Sequence, residues 1–336
     1  MVAAVDHDAL IVVSFGGPEG PDEVMPFLRR VVAGRGVPDE RLAQVARQYE
    51  AFGGRSPIND QNRRLVATVR ELLDLPVYWG NRNAAPFLTD VVREMGRDGI
   101  TRALAFVTSA YGSYSGCRQY REDIAAAIAT VRAEGLPAPD VDKLRTFYNH
   151  PLFVDAFVRS ARTAWEEVPG DLRSEATLVF TAHSIPVAAA DRAPYVAQVR
   201  AAAALVAEGL AGQGVPTLEW TLGWQSRSGP PQVLWLEPAI DDVLAGIADA
   251  GRRAAIVVPI GFVSDHMEVA YDLDTVAVPA ARDRGLTVVR AVTPGVALAP
   301  VVAALVAERR CGEPRAFLGS RGPSHDGCPR GCCLAG

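Results

Sequence analysis

The chain has 336 residues, half of them hydrophobic, with 34 basic and 39 acidic side chains. At roughly 150 residues per domain this is room for about two domains with full cores. The mildly negative balance leaves no basic footprint for nucleic acid or anionic lipid, and no stretch of about 18 apolar residues could span a bilayer.

At the start, acidic Asp6 and Asp8 precede the short apolar run 9–13, the wrong charge and length for a secretory signal. A cytoplasmic protein is expected, in which five cysteines serve as thiols or metal ligands rather than structural disulfides. Going along the chain, short apolar segments predict strands over 9–14, 76–80, 102–108 and 143–148. A second series follows over 176–182, 218–225, 254–260 and 286–291. Between them, amphipathic or Ala-rich stretches predict helices, among them 22–32, 41–52, 59–73, 118–133, 151–167, 194–210 and 238–250. Strand–helix alternation predicts parallel sheets covered on both faces. Two series of four predict an α/β fold of two similar doubly wound domains, 1–148 and 149–310, each with a four-stranded parallel sheet. From Cys311 onward the chain is rich in Gly, Pro and Cys and loses helical periodicity. The tail 311–336 therefore needs something other than an apolar core to hold it.

Ligands in doubly wound sheets sit outside the carboxyl ends of the strands. The residues there are Phe15-Gly16-Gly17-Pro18, Asn81-Arg82-Asn83, Ser109-Ala110-Tyr111, His183-Ser184, Gln225-Ser226-Arg227 and the run from Gly261 to Glu268. His183 directly follows a strand, where an imidazole can bind a metal, take a proton near neutral pH, or simply hydrogen-bond the backbone. In PIGFVSDHMEVAYDLD (259–274), a helix is expected from Ser264 or Asp265. Asp265, Glu268 and Asp272 would then share one face, a line of carboxylates able to attract a divalent cation or pass protons; the alternative is a solvated acidic helix start. His266 is expected to point elsewhere and to be structural. The turn Gly16-Gly17-Pro18 lacks the spacing of a phosphate loop or dinucleotide fingerprint, so nucleotide binding is not expected. Cys117 lies near the ligand edge. Cys311, Cys328, Cys332 and Cys333 crowd the tail and could hold zinc or an iron–sulfur cluster, although C-x3-C-C is no standard zinc knuckle.

Six segments, in order and spread over both halves, carry a resemblance: SFGGPE (14–19), YEAFGGRSPI (49–58), TSAYGSYSGCRQYRED (108–123), FTAHSIP (180–186), LGWQSRSGP (222–230) and PIGFVSDHMEVAYDLD (259–274). The chain resembles the ferrochelatases throughout, and most of all the coproporphyrin ferrochelatases of Gram-positive bacteria. The resemblance implies a chelatase-like fold with a porphyrin cleft between the domains. It implies insertion of Fe2+ into coproporphyrin III to give Fe-coproporphyrin in haem biosynthesis. His183 and Glu268 match the family's catalytic and metal-handling motifs, with Asp272 extending a proton or metal path. Phe15, Ser56 and Tyr120 match porphyrin-contacting positions. Which of His183 and Glu268 takes protons and which takes iron is left open. Phe15 stands where some relatives have an iron-ligating Tyr, and cannot ligate. The charged stretch 22–32, with Asp22, Glu23, Arg29 and Arg30, replaces the apolar lip of membrane-associated relatives and favours the more polar substrate. Relatives with a 2Fe–2S cluster take one ligand from inside the second domain. This chain has no Cys between 118 and 310, so the resemblance gives that place beside Cys328, Cys332 and Cys333 to Cys311, with Cys117 as the alternative. Expected partners are porphyrin, ferrous iron and downstream haem-pathway enzymes, the chain itself being a monomer. The alternatives are a protoporphyrin IX ferrochelatase, a chelatase for an earlier tetrapyrrole, which would usually place a second His where Glu268 stands, or a haem carrier without turnover. An acidic row argues against a carrier.

Overall fold

The computed structural model describes residues 6–34, 36–229 and 232–335. Residues 1–5, whose lack of a signal pattern was noted above, lie outside that range, as do Pro230, the end of the LGWQSRSGP motif, and Gly336 of the tail.

Two parallel sheets form. The first comprises β1 (Ala9–Ser14), β2 (Val77–Asn81), β3 (Arg102–Val107) and β4 (Asp140–Lys143), in the order β2-β1-β3-β4. The second comprises β5 (Thr177–His183), β6 (Trp220–Gln225), β7 (Ala254–Val258) and β8 (Thr287–Arg290), in the order β6-β5-β7-β8. All pairings are parallel. The central strands read as unbroken apolar runs because helices cover both their faces. ALIVVS in β1 and AAIVV in β7 are buried at every residue. Each fully buried Ile, Leu, Val or Phe stabilises by roughly 1.5–3 kcal/mol against exposure, before chain entropy is counted.

The chain divides into two compact units that interleave in sequence. The first is 1–108 with 119–144 and 302–314; the second is 109–118 with 145–301 and 315–336. Contiguous domains were expected, with the join near residue 148. The structure instead counts segment 109–118 with the second unit and the end of helix Ala299–Arg310 with the first. The first unit's core packs Ile11, Val13 and Ala105 against Val91, Met95, Ile124 and Val131 of helices Leu88–Arg97 and Gln119–Ala133. In the second, Val179, Ala255 and Val257 pack against Leu244, Val269, Leu273 and Val278.

One strand lies elsewhere than expected. The predicted segment 143–148 shares only Lys143 with β4, and 144–148 is buried irregular chain. Leu144, Phe147 and Tyr148 supply the apolar and aromatic pattern because the interior surrounds them, and Arg145 and Thr146 are buried alongside. DVDK is polar because β4 is a short edge strand, and charged edges resist stray pairing.

Candidate active site

His183 is the last residue of β5, in register with Gln225 at the end of β6. The strand before it, Thr177–Ala182, is entirely buried, so a rigid element delivers the imidazole to the sheet's carboxyl edge. Its Nδ1 donates to the carbonyl of Ser184. Tyr195 Oη donates to the carbonyl of His183 at 2.9 Å. With Nδ1 committed, Nε2 faces Glu268 Oε2 at 3.5 Å.

Glu268 arrives by a tight crossing. The loop after β7 passes over the end of β5 at Gly261, whose N–H donates to the carbonyl of Thr181 at 3.1 Å. A Cβ on Gly261 would lie 2.4 Å from Ala182 Cβ and 2.6 Å from its Cα, so only glycine permits the approach. A short turn, Met267–Val269, then begins at His266, whose Nδ1 accepts from the Glu268 N–H at 3.2 Å. The chain continues as a π-helical segment, Ala270–Ala277, which carries Asp272. Such wide turns are rare and frequently sit at functional sites. Gln225 and Ser226 lock this segment from β6. Gln225 Nε2 donates to the carbonyl of Glu268 at 3.0 Å, and its Oε1 accepts from Thr181 Oγ1 at 3.0 Å. Ser226 Oγ donates to Asp272 Oδ2. Ser226 does so from φ +60, the left-handed region that a non-glycine residue adopts at a cost.

The charges follow from this geometry. Burial opposes charge on Glu268, yet the His183 imidazolium overrides it and holds the carboxyl down at about 2. Burial likewise opposes charge on His183, and the Glu268 carboxylate outweighs it, raising His183 above its ordinary value. Asp272 goes the other way. Burial, aided by repulsion from Glu268, pushes it up to about 6 despite the Ser226 hydrogen bond. Burial pushes His266 down. Two carboxylates four residues apart are thus set for different work, Glu268 kept ionised and Asp272 poised to gain or lose a proton near neutrality.

The expected acidic row loses its first member. Asp265 accepts from Thr293 Oγ1 at 3.1 Å and from Arg290 Nη1 at 3.3 Å, and Arg290 also grips Asp274. The helix expected from Ser264 or Asp265 begins only at Met267, so Asp265 belongs to a brace and not to the Glu268 face. His266, expected to point away, caps the Glu268 turn and lies 3.9 Å from Glu268 Oε2, packed edge-on against Phe262. Sequence reasoning gave Gln225 and Ser226 a place at a strand end but no task, because a polar residue after a strand does not show what it will bond.

Phe15, Ser56 and Tyr120 lie in the first unit. Phe15 follows β1 and packs edge-on against Phe27, ring centroids 6.1 Å apart. Ser56 is buried against Gly17. Tyr120 is buried near the start of helix Gln119–Ala133. Arg82, which had no assigned role, joins the two rings. Its guanidinium sits 4.5 Å from the Tyr120 ring centroid and 5.7 Å from that of Phe15, paired to Asp123. A cation against two aromatic faces holds both in place.

In the tail, a four-thiolate set can be tested against a 2Fe–2S cluster, which takes four ligands shared between two irons. The described residues bring together an imidazole nitrogen of His325 with Sγ of Cys328 and Cys332, all within 4.8 Å of one another. Cys333 Sγ is 3.6 Å from Cys332 Sγ. Cys311 is exposed and belongs to the first unit. This group keeps Cys328 and Cys332 of the expected set of Cys311, Cys328, Cys332 and Cys333, adds His325, and lends no support to the 2Fe–2S assignment.

Two sheets of identical order, each with polar residues beyond its carboxyl edge, define a doubly wound α/β protein of two similar units. Solved structures agree on the fold: SirB from Bacillus subtilis with Fe3+ (TM-score 0.56, 10% identity, 91% of this chain and 97% of that one) and CbiX, the terminal enzyme for biosynthesis of sirohaem in denitrifying bacteria (TM-score 0.51, 18% identity, 91% and 100%). The family model for ferrochelatase matches residues 7–309. The chain is 50% identical to the coproporphyrin III ferrochelatase of Streptomyces griseus over 98% of its length and 94% of that protein. It is 51% identical to the one of Frankia alni (97% and 86%) and 45% identical to a ferrochelatase of Rhodopirellula baltica (98% and 93%). The chain belongs to the ferrochelatase family and is a metal-inserting enzyme.

Proposed function

We propose that this chain inserts Fe2+ into coproporphyrin III, with His183 and Glu268 as its catalytic and metal-handling pair. The observation that carries this reading is the 3.5 Å approach of His183 Nε2 to Glu268 Oε2 at the end of a fully buried strand. Metallation removes two protons from the pyrrole nitrogens and strips water from the ion. The neutral imidazole offers a lone pair at Nε2 once its proton leaves, and the ionised Glu268 offers an oxygen beside it, a borderline N/O pair suited to a divalent transition metal. Iron and a proton therefore compete for the same nitrogen. Asp272, with its raised pKa, takes the two outgoing protons one after the other and passes each on to solvent, and Ser226 holds the carboxylate in place. Iron is handled by His183 and Glu268, and protons leave toward Asp272.

The preference for coproporphyrin is supported by the relatives that bear that name and by the charged helix Pro21–Val31, whose Arg29 pairs with Asp39 and whose Arg30 donates to the carbonyl of Asn83. Phe15, Ser56 and Tyr120 contact the macrocycle in this reading. A monomer working in the cytoplasm belongs to the same proposal; no helix among the described residues is long and apolar enough to cross a membrane. Anaerobic turnover of Fe2+ with each porphyrin tests the reading. Coproporphyrin III should be metallated faster than protoporphyrin IX; equal rates, or the reverse order, would remove the substrate assignment.

A further inference from the structure

We propose that Tyr195, with Tyr111 beside it, is a positioning residue that sets His183 against Glu268, each hydroxyl holding the backbone of one of the two elements that carry the pair. This rests on the assignment of His183 and Glu268 given above. Strand β7 ends at Val258, so β5 loses its neighbour on that side while it still has His183 to deliver. Carbonyls two residues apart on a strand face the same side. The Thr181 carbonyl accepts from the Gly261 N–H at 3.1 Å, and the next one along, that of His183, accepts from Tyr195 Oη at 2.9 Å. A side chain thus supplies the rung that the departed strand leaves open. Tyr111 serves the other element. Its Oη donates at 2.7 Å to the carbonyl of Ile260, the residue before the Gly261 crossing on the way to Glu268.

The two phenols belong to one packed cluster inside the second unit. Their ring centroids are 6.1 Å apart, at 88°. Tyr195 also lies against Trp224 of β6 at 5.8 Å, and Tyr111 against Tyr148 at 6.2 Å and Phe153 at 6.4 Å. The Gly112 N–H donates to Gln198 Oε1 at 2.7 Å, which ties the segment carrying Tyr111 to the helix Tyr195–Gly212. Both tyrosines are buried. Burial pushes both phenols above their ordinary value, so each stays protonated and donating through neutral pH. A phenol has one proton to donate, and here each is committed to a main-chain carbonyl. The tyrosines therefore act through His183 and Glu268 and not on the metal. The 3.5 Å between Nε2 and Oε2 joins two backbones that one pair of rings holds.

The test is anaerobic Fe2+ insertion by the full chain carrying Tyr195→Phe or Tyr111→Phe, with Tyr148→Phe as the control. Phenylalanine keeps each ring in its packing and removes only the hydroxyl; circular dichroism checks the fold. Tyr195→Phe should lower kcat by about 10- to 100-fold, the scale on which a misplaced group costs rate, and raise the KM for Fe2+ while leaving that for porphyrin unchanged. Tyr111→Phe should show the same split. Tyr148→Phe, a change in the same cluster at a ring that stacks on Tyr111, should match the parent. In single turnovers on the His183→Ala background, Tyr195→Phe should cost nothing further, because it acts through the imidazole. Parental kcat and KM for Fe2+ in Tyr195→Phe, a rise in porphyrin KM as large as that for Fe2+, an equal loss in Tyr148→Phe, or a further loss on top of His183→Ala would each overturn the proposal. Parental insertion by His183→Ala alone would instead remove the assignment on which it rests.

Discussion

Strand β1 ends in Ser14 and runs into Phe15-Gly16-Gly17, whereas β5, at the same place in an identically ordered sheet, ends in His183 and runs into Ser184. Both third strands are followed in sequence by a π-helical turn, Tyr114–Arg118 after β3 and Ala270–Ala277 after β7. Beyond those shared features the chemistry diverges. The first unit closes its strand ends with amides and rings. Asn62 Nδ2 donates to Ser14 Oγ at 2.7 Å, Asn59 Nδ2 to the carbonyl of Gly17 at 3.0 Å, and Arg82 lies against Phe15 and Tyr120. The second unit places titratable groups at the corresponding ends. In the proposed reading, one frame serves as an aromatic platform in one copy and as a proton and metal relay in the other. The residues after the strands, not the strands, decide which.

If that division holds, the largest loss of insertion should come from the second unit. His183→Ala is expected to lower Fe2+ insertion by about 1000-fold or more, the scale of a lost acid–base and ligand group. Measured turnover within tenfold of the parent would place the metal elsewhere. The crossing at Gly261 should be nearly as sensitive for a structural reason. Gly261→Ala forces a Cβ against Ala182, beside His183, at 2.4 Å. A loss of about 1–3 kcal/mol in denaturant unfolding is expected, together with lost turnover. Gly16→Ala, at φ +77 and 2.8 Å from Asn81 Cβ, is the matched change in the first unit. It should cost similar stability and raise the KM for porphyrin more than it lowers kcat.

Proton handling gives a finer contrast. With Asp272 at about 6, insertion should rise with pH through that value as the carboxylate becomes available. Asp272→Asn should flatten this limb. Ser226→Ala, which removes the hydrogen bond that favours the charged form, should move the limb upward by up to about one pH unit. A limb that stays put in both variants would take Asp272 out of the relay. Substituting Arg82 by Ala should leave the pH profile intact and weaken porphyrin binding by about tenfold at most, the scale of one cation–ring contact.

The smallest expected effect is on stability. The raised pKa of His183 contributes stability below about pH 6.5 that fades as pH rises through its folded value. The depressed pKa of Glu268 contributes above its ordinary 4.5 and is lost as pH falls toward 2. The pair therefore helps most between those ordinary values. Because the Glu268 side chain is 47% exposed, the contribution should be screened to well under about 1 kcal/mol, read as a pH-dependent difference in unfolding midpoint against Glu268→Gln.

Sequence patterning carried the sheets well. Central strands such as 9–14 and 176–182 are apolar throughout, and only a covered parallel strand needs that. It failed at β4, where burial of Leu144 to Tyr148 imitates a strand that the chain does not form. Pattern also placed His183 at a strand end and Glu268 at a helix start beyond the strand 254–260. It could not show that Asp265 would be taken by Arg290 and Thr293, because that bond joins residues 25 and 28 positions apart. Nor could it show the π-helical turn, which needs five-residue hydrogen-bond spacing that ordinary helical periodicity does not reveal. The tail shows the same limit of pattern. Four cysteines suggested four thiolate ligands, while the fold brings His325 to Cys328 and Cys332.

The most direct test is Glu268→Gln, measured for porphyrin binding and for Fe2+ insertion in the same anaerobic preparation. The substitution keeps the size of the side chain and the backbone bonds from Gln225 and His266, and removes only the charge facing His183 Nε2. Porphyrin should bind with unchanged affinity while insertion falls to the level of His183→Ala. Insertion at the parent rate with porphyrin bound would contradict the account, because the metal would then be entering the ring without the pair.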